Sequence, residues 1–234
     1  MTDSFLRPSL SLSNIDRYLP RIAILQAILS CTSYLRGRCL DVGCGDQPYR
    51  SLLLHPPFDI SELIGLDRAS DRCQHTPPDL VWMEGKIPLP DDSFDSAICT
   101  EVLEHCPNPR EILAEVHRVL KPGSSLLITI PFLWPLHEVP HDWCRYTPFA
   151  LSHLLESAGF VVCELRSLGG YDRSLAQMLG LWLRRRPMNR YLRAALTLLL
   201  YPIWTGLRLS REPNTTAWDE GLMITGLMAR VVKA

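Results

Sequence analysis

The sequence has no surplus of charge of either sign: 24 Lys and Arg stand against 25 Asp and Glu, for a net charge of −1 at pH 7. Without a global basic field, a broad nucleic-acid-binding surface is not expected. The chain also lacks the extremes of disordered, collagenous or coiled-coil sequences, with 47% hydrophobic and 21% charged residues. Eight cysteines in 234 residues are too few for a disulfide scaffold. Several lie in apolar runs such as Ser96-Ala-Ile-Cys-Thr100, which predicts free thiols in a reducing cytoplasm. No export signal is visible, because Asp3 and Pro8 interrupt the start where a basic residue and an unbroken apolar stretch are needed. The longest uncharged run, Ala194–Leu207, falls short of the roughly 20 residues that cross a bilayer, and Pro202 interrupts it.

The even balance conceals two halves. Residues 1–165 hold 13 basic and 21 acidic side chains, whereas 166–234 hold 11 and 4. Helical spacing of apolar residues over 15–30 predicts an amphipathic helix in an N-terminal cap region, 1–37, covering a pocket or the sheet. Strand-like and helix-like segments then alternate: RCLDVG, a helix near 48–54, ELIGLD, DLVWM, FDSAICT, a helix over 109–120 and SSLLITIPF. This rhythm predicts an α/β fold with a largely parallel sheet covered by helices on both faces. Asn108 can cap the 109–120 helix, with Pro109 at its first position and Glu111 at its third. A helix from Thr147-Pro148 to Gly159 feeds the strand FVVCELRSL, and the closing LMITGLMARVVK alternates as a strand. The division expected is a core over 38–168, a basic apolar helical insertion over 169–219 and a final core strand over 220–234.

The chemistry begins at Asp41-Val-Gly43-Cys44-Gly45, an apolar strand running into two glycines. Such a turn lets a ligand approach the backbone at the carboxyl end of the strand. A dinucleotide fingerprint needs a third glycine where Pro48 stands, and no GK[ST] signature for a nucleoside triphosphate follows. Asp67 ends the next apolar strand, where an acid can accept hydrogen bonds from both hydroxyls of a ribose. The expected ligand therefore carries an adenosine-like ribose without a pyrophosphate.

Five segments in order resemble the class I S-adenosylmethionine-dependent methyltransferases, specifically the type-11 group. They are Asp41-Val-Gly-Cys-Gly45, Gly65-Leu-Asp67, Ile87-Pro-Leu-Pro-Asp-Asp-Ser-Phe-Asp95, Thr100-Glu-Val-Leu-Glu-His105 and Arg118-Val-Leu-Lys-Pro-Gly123, within about 38–165. The resemblance implies a Rossmann-like, seven-stranded, mostly parallel sheet with an antiparallel last strand. It also implies S-adenosyl-L-methionine as cofactor. Asp41, Gly43, Cys44 and Gly45 would then line its methionine moiety, Asp67 its ribose and Arg68 its adenine. Where the group often carries an acid for the adenine amino group, this chain has Met83, with Glu84 one residue on as the candidate. Thr100 and Glu101 would close the pocket floor, and His105 would position the cofactor loop.

Residues Pro131–Tyr146 form the second informative segment. His137-Glu-Val-Pro-His141 formally matches the zinc pattern H-E-x-x-H, but Pro140 breaks the helix that pattern requires, so no metal is expected. Methyl transfer to a hydroxyl needs alignment of the acceptor and a base for its proton. His141 is the expected base, Asp142 its orienter and His137 the alternate, with Trp134, Arg145 and Tyr146 meeting the acceptor. The segment resembles an HExPHDxxRYT pattern found in a subset of these enzymes linked to surface-glycan or specialised-metabolite chemistry. A small-molecule or glycan-type acceptor, methylated at oxygen, is the expectation. The rival is a non-catalytic methyltransferase-like binding or scaffold protein. RNA or protein methylation is disfavoured, because CTEVLEH stands where an Asn-Pro-Pro-Tyr or Asp-Pro-Pro-Tyr type motif would be.

Residues 179–208 concentrate Arg184, Arg185, Arg186, Arg190 and Arg193 beside Trp182, Tyr191 and Trp204. Three readings remain open: a helical lid over the acceptor pocket, a homodimer contact, or peripheral contact with an anionic membrane surface and a lipid-linked acceptor.

Overall fold

Apolar residues that alternate along the strands sort onto the two faces of one sheet, as the two-residue strand period requires. The computed structural model describes residues 3–68, 76–83, 85–210 and 212–234. Its strands are β1 (Arg36–Val42), β2 (Asp59–Asp67), β3 (Leu80–Val81), β4 (Phe94–Thr100), β5 (Leu120–Pro131), β6 (Phe160–Leu168) and β7 (Gly226–Lys233). Its helices are α1 (Asp3–Leu6), α2 (Tyr18–Leu29), α3 (Arg50–Leu53), α4 (Pro109–Val119), α5 (Pro148–Ser157), α6 (Tyr171–Arg185) and α7 (Arg190–Leu209). The sheet runs β3-β2-β1-β4-β5-β7-β6, with β7 antiparallel to both of its neighbours. This is the Rossmann-like sheet expected from the sequence.

On one face Leu40, Val42, Ala97, Cys99, Leu126 and Ile128 pack against Leu113 and Val116 of α4 and Leu151 and Leu155 of α5. On the other, Cys39, Ile98, Leu127 and Met228 meet Ala23, Ile24, Ala27 and Ile28 of α2. The helix expected over 15–30 forms as α2, Tyr18–Leu29, and covers the sheet, with its Arg21 and Ile24 also reaching the edge of a cavity described below. Between β1 and β4 the chain reverses its direction of travel across the sheet, opening a crevice at their carboxyl ends.

Two of the resembling segments hold each other. Arg118 in α4 donates from Nη2 to the Ile87 carbonyl at 2.9 Å and from Nη1 to the Leu89 carbonyl at 3.0 Å. It also pairs with Glu115 at 2.7 Å and Asp91 at 2.5 Å. One guanidinium thus fixes the proline-rich approach to β4. The cap expected of Asn108 is not made: its side chain forms no capping bond, and the residue instead lines the main cavity. Thr147 does cap α5, accepting from the Ala150 N–H at 3.2 Å.

In the stretch expected as an insertion, α6 and α7 form a helical pair that packs on the start of α2 and the segment before it. Trp204, Ala176 and Leu183 close over Ile15 and Leu19. Arg185 reaches Asp16 at 3.1 Å. Gly180 lies so close to this segment that a Cβ there would stand 2.6 Å from the Ile15 carbonyl oxygen. Gly180→Ala should therefore push α6 off its seat and cost about 1–3 kcal/mol, read as a fall in the urea midpoint. A variant as stable as the parent would show that the insertion is not held here.

Candidate active site

The turn after β1 is shaped by two left-handed glycines, Gly43 (φ +70°) and Gly45 (φ +51°). A Cβ on Gly43 would meet Val102 Cγ2 at 2.4 Å, so only glycine lets this turn close against the segment after β4. A Cβ on Gly45 would meet nothing within 4 Å, so the backbone there faces open space. The Gly43 and Cys44 amides donate to the Leu66 carbonyl at 2.8 and 3.2 Å. The Gly45 and Arg68 amides donate to the two oxygens of Asp67, each at 2.6 Å. The acid at the end of β2 is thereby held at the mouth of the crevice.

Below these groups lies a cavity of about 760 Å³, lined by Gly43, Gly45, Asp67, Arg68, His105 and His141 among others. A second cavity of about 410 Å³ adjoins it, with Trp134, His137 and Arg185 in its lining. Glu101, His105 and Glu138 line both and so form the wall between them. Glu101 (φ +55°) and Glu138 (φ +53°) adopt left-handed backbone without being glycine. Such conformations cost about 1–3 kcal/mol each and concentrate at functional sites.

The remaining expected residues divide. Asp41 is buried beneath the glycine turn and lines neither cavity, and burial, then the Asp67 charge, raises its pKa to about 7. Cys44 is also buried, its sulfur packed over Gly65. Thr100 lines neither cavity. Burial raises the Glu101 carboxyl as well. Glu84 lies outside the described residues.

The pairing of His141 with Asp142 is not what forms. Residues 137–141 contain no helix, and Asp142 turns to His137 instead. Its Oδ2 lies 3.2 Å from His137 Nδ1, while Arg145 donates to both carboxylate oxygens at 2.6 and 2.9 Å. The Arg145 bonds hold the Asp142 carboxyl well below the usual range, and burial lowers His137. Tyr146 does not meet the cavity. It is buried among core residues, with its hydroxyl 3.5 Å from the Leu103 carbonyl, because an aromatic ring preceding α5 has more to gain from that core than from solvent. Arg145 acts on Asp142 and on the Trp134 carbonyl rather than projecting to an acceptor.

Several lining residues were not found by sequence reasoning. Trp82, whose Nε1 donates to the Gly85 carbonyl at 3.1 Å, walls the first cavity beside Met83. Its position just before Met83 was the available signal. Arg185 and Gln177 bring α6 into the second cavity, with the Arg185 guanidinium 5.0 Å from the Trp134 ring centroid.

The glycine turn, the acid at the β2 tip and the strand order together define a Rossmann-like α/β fold with a crevice at the carboxyl ends of β1 and β4. Residues 40–128 match the family model of a methyltransferase domain, the type-11 group. The chain is 28% identical over 162 residues to the ubiquinone biosynthesis O-methyltransferase of Hahella chejuensis, covering 56% of this chain and 66% of that protein. It is 39% identical over 118 residues to the phthiotriol/phenolphthiotriol dimycocerosates methyltransferase 1 of Mycobacterium ulcerans, covering 45% and 41%. The chain thus spans about two thirds of the first relative and less than half of the second. A solved SAM-dependent methyltransferase from Archaeoglobus fulgidus has the same fold, with TM-score 0.55, 17% identity and coverage of 99% and 97%. Residues 40–128 thus match a methyltransferase domain of the type-11 group, and the chain as a whole has the fold of the solved SAM-dependent methyltransferases. The cofactor of that group is S-adenosylmethionine.

Buried Asp41 gives a pH test. It holds its proton to about pH 7 in the folded chain but only to about pH 4 when unfolded. The folded state therefore binds more protons across this window, and stability falls as pH rises from about 4 to about 7, then levels off. Asp41→Asn should flatten that slope in urea unfolding of the ligand-free protein. A slope unchanged by the substitution would contradict the assignment.

Proposed function

We propose that this protein transfers the methyl group of S-adenosylmethionine to a hydroxyl of a small, apolar or lipid-linked acceptor. The observation that carries the reading is the pair of adjoining cavities sharing the Glu101–His105 wall. One suits a nucleoside cofactor, the other a separate acceptor. When bound, the cofactor supplies an electrophilic methyl group on a sulfonium sulfur. The chain's part is to hold and orient. The Asp67 carboxylate would accept from ribose hydroxyls, and the open face of Gly45 would admit the ligand to the backbone. Arg68, Trp82 and Met83 would flank the adenine, with Glu84 as its hydrogen-bonding partner. Asp41 supports the glycine turn from below.

His141 would take the hydroxyl proton of an acceptor reaching from the second cavity toward the first, as the methyl carbon bonds to the acceptor oxygen and its bond to sulfur breaks. Its place in the lining of the first cavity supports this role. Trp134 and Arg185 would meet the acceptor in the second cavity. Relatives named for ubiquinone and dimycocerosate chemistry support an acceptor with a long apolar part.

A second observation bears on how such an acceptor arrives. The exposed face of α7 is an uncharged stripe at helical spacing, with Leu192, Leu198, Leu199, Ile203 and Leu209 all outward. Arg186 and Arg190 are exposed at its N-terminal end. No described helix is long and apolar enough to cross a membrane. The stripe and its arginines suit peripheral contact with an anionic membrane surface. Seven described cysteines are free, five of them buried, which supports a reducing cytoplasmic setting.

Incubation with methyl-labelled cofactor and a lipid extract should move label into the organic phase. His141→Ala should cut kcat by about 10²-fold or more with the cofactor KM unchanged. Full turnover in that variant would remove His141 as the base, and no transfer to any fraction would favour the non-catalytic rival. The protein should float with anionic vesicles at low salt and detach near 0.5 M salt, where screening is strong. Leu199→Glu with Ile203→Glu should abolish flotation. Failure to float, with a dimer in sedimentation that these substitutions break, would give the stripe to a second copy of the chain.

A further inference from the structure

Glu104 follows β4 in a short 3-10 turn, Leu103–His105, and is fully buried. Neither of its carboxylate oxygens has a hydrogen-bond partner. Adding a proton would not resolve this, because a neutral carboxyl gains an O–H donor that needs a partner too. The nearest ionisable nitrogen, His105 Nε2, stands 3.7 Å from Oε1, beyond a hydrogen bond. A buried carboxyl left this way is costly unless something completes it.

What surrounds it is a donor set. One ligand atom each from Glu104, His105 and His137 lie within 4.8 Å of one another. The two imidazole rings meet edge-on, with centroids 4.5 Å apart. His105 Nδ1 is 2.9 Å from the His141 carbonyl, which can only accept, so Nδ1 carries the hydrogen and Nε2 the lone pair. His137 Nδ1 faces Asp142 Oδ2 at 3.2 Å, itself clamped by Arg145, which again leaves Nε2 as the lone-pair nitrogen. A carbonyl behind one histidine and a carboxylate behind the other is the arrangement that orients imidazoles toward a metal.

We propose that Glu104, His105 and His137 bind a first-row divalent cation such as Zn²⁺, in the wall between the two cavities. Two nitrogens and one carboxylate suit such an ion better than Mg²⁺, which prefers an all-oxygen shell. Metal–ligand bonds of about 2.1 Å require the three side chains to close in slightly. Three protein ligands leave a coordination position open. His137 lines the second cavity and His105 lines both, so that position would be reachable from the acceptor side and would take an acceptor oxygen. The acceptor role rests on the methyl-transfer reading, whereas the metal site does not. The sequence expectation of no metal considered only a helical H-E-x-x-H. The set found here takes one histidine from that segment and two ligands from the turn after β4.

The test is metal binding by the chelator-stripped full-length protein, followed by calorimetry with Zn²⁺ and by the visible spectrum with Co²⁺. One equivalent per chain is expected, with cobalt bands of a nitrogen and oxygen shell. Glu104→Gln and His137→Ala should each weaken binding about tenfold or more, with melting curves showing that both still fold. Failure to bind either ion would overturn the proposal. So would affinity unchanged in both variants, or thiolate charge-transfer bands assigning the ion to cysteines. Because cofactor and acceptor are absent from the assay, loss of the methyl-transfer reading would leave its result intact. If neither variant folds, the cobalt spectrum of the parent alone decides.

Discussion

The close approach of the β1 turn to the segment after β4 is the constraint on which the site depends. It exists because Gly43 has no side chain where Val102 Cγ2 would stand 2.4 Å from a Cβ. With that contact made, the turn bonds to Leu66 and Asp67 on one side, and Glu101 is fixed in the wall on the other. Any larger residue would separate β1 from β4 at their carboxyl ends and open the crevice that holds both cavities together. The unusual backbone at Glu101 and Glu138 fits the same picture, since both sit where the cavities meet.

Burial and charge are arranged around that wall. Asp41 and Glu101 are pushed toward neutrality by burial, while Asp142 is kept ionised by Arg145. A cationic group entering beside Glu101 would favour the ionised form of that carboxyl, because opposite charges in a low-dielectric setting are poorly screened. The Asp142–Arg145 pair serves a different end: it orders the segment carrying His137, which lacks any helix of its own. The backbone carbonyl of Glu104 adds to this order by accepting from the Trp143 and Cys144 amides at 2.8 and 3.3 Å.

The strands and the lining of the first cavity were legible because their signals are local. Apolar runs ending in glycine or aspartate mark strand tips, and Gly43, Gly45, Asp67, Arg68 and Glu101 all fall where those tips lead. The acceptor side was less legible because its order comes from contacts across an irregular loop. Nothing in the spacing of His137, His141 and Asp142 says which histidine the carboxylate will choose. Tyr146 reads as a site residue beside Arg145, yet packing claims it for the core. The contributions of Arg185 and Gln177 were hidden for a similar reason, since they depend on how α6 docks against residues far away in sequence. Trp82 was closer to reach, lying beside a residue already under consideration.

The central claim is that the cavity under the glycine turn holds the cofactor through Asp67. Its most direct test is calorimetric titration of the purified chain with S-adenosylhomocysteine, alongside Asp67→Ala. The account predicts micromolar, one-to-one binding in the parent and at least about tenfold weaker binding in the variant, as expected for a lost hydrogen bond to a charged group. Equal affinity in the two proteins, or no binding at high protein concentration, would contradict it.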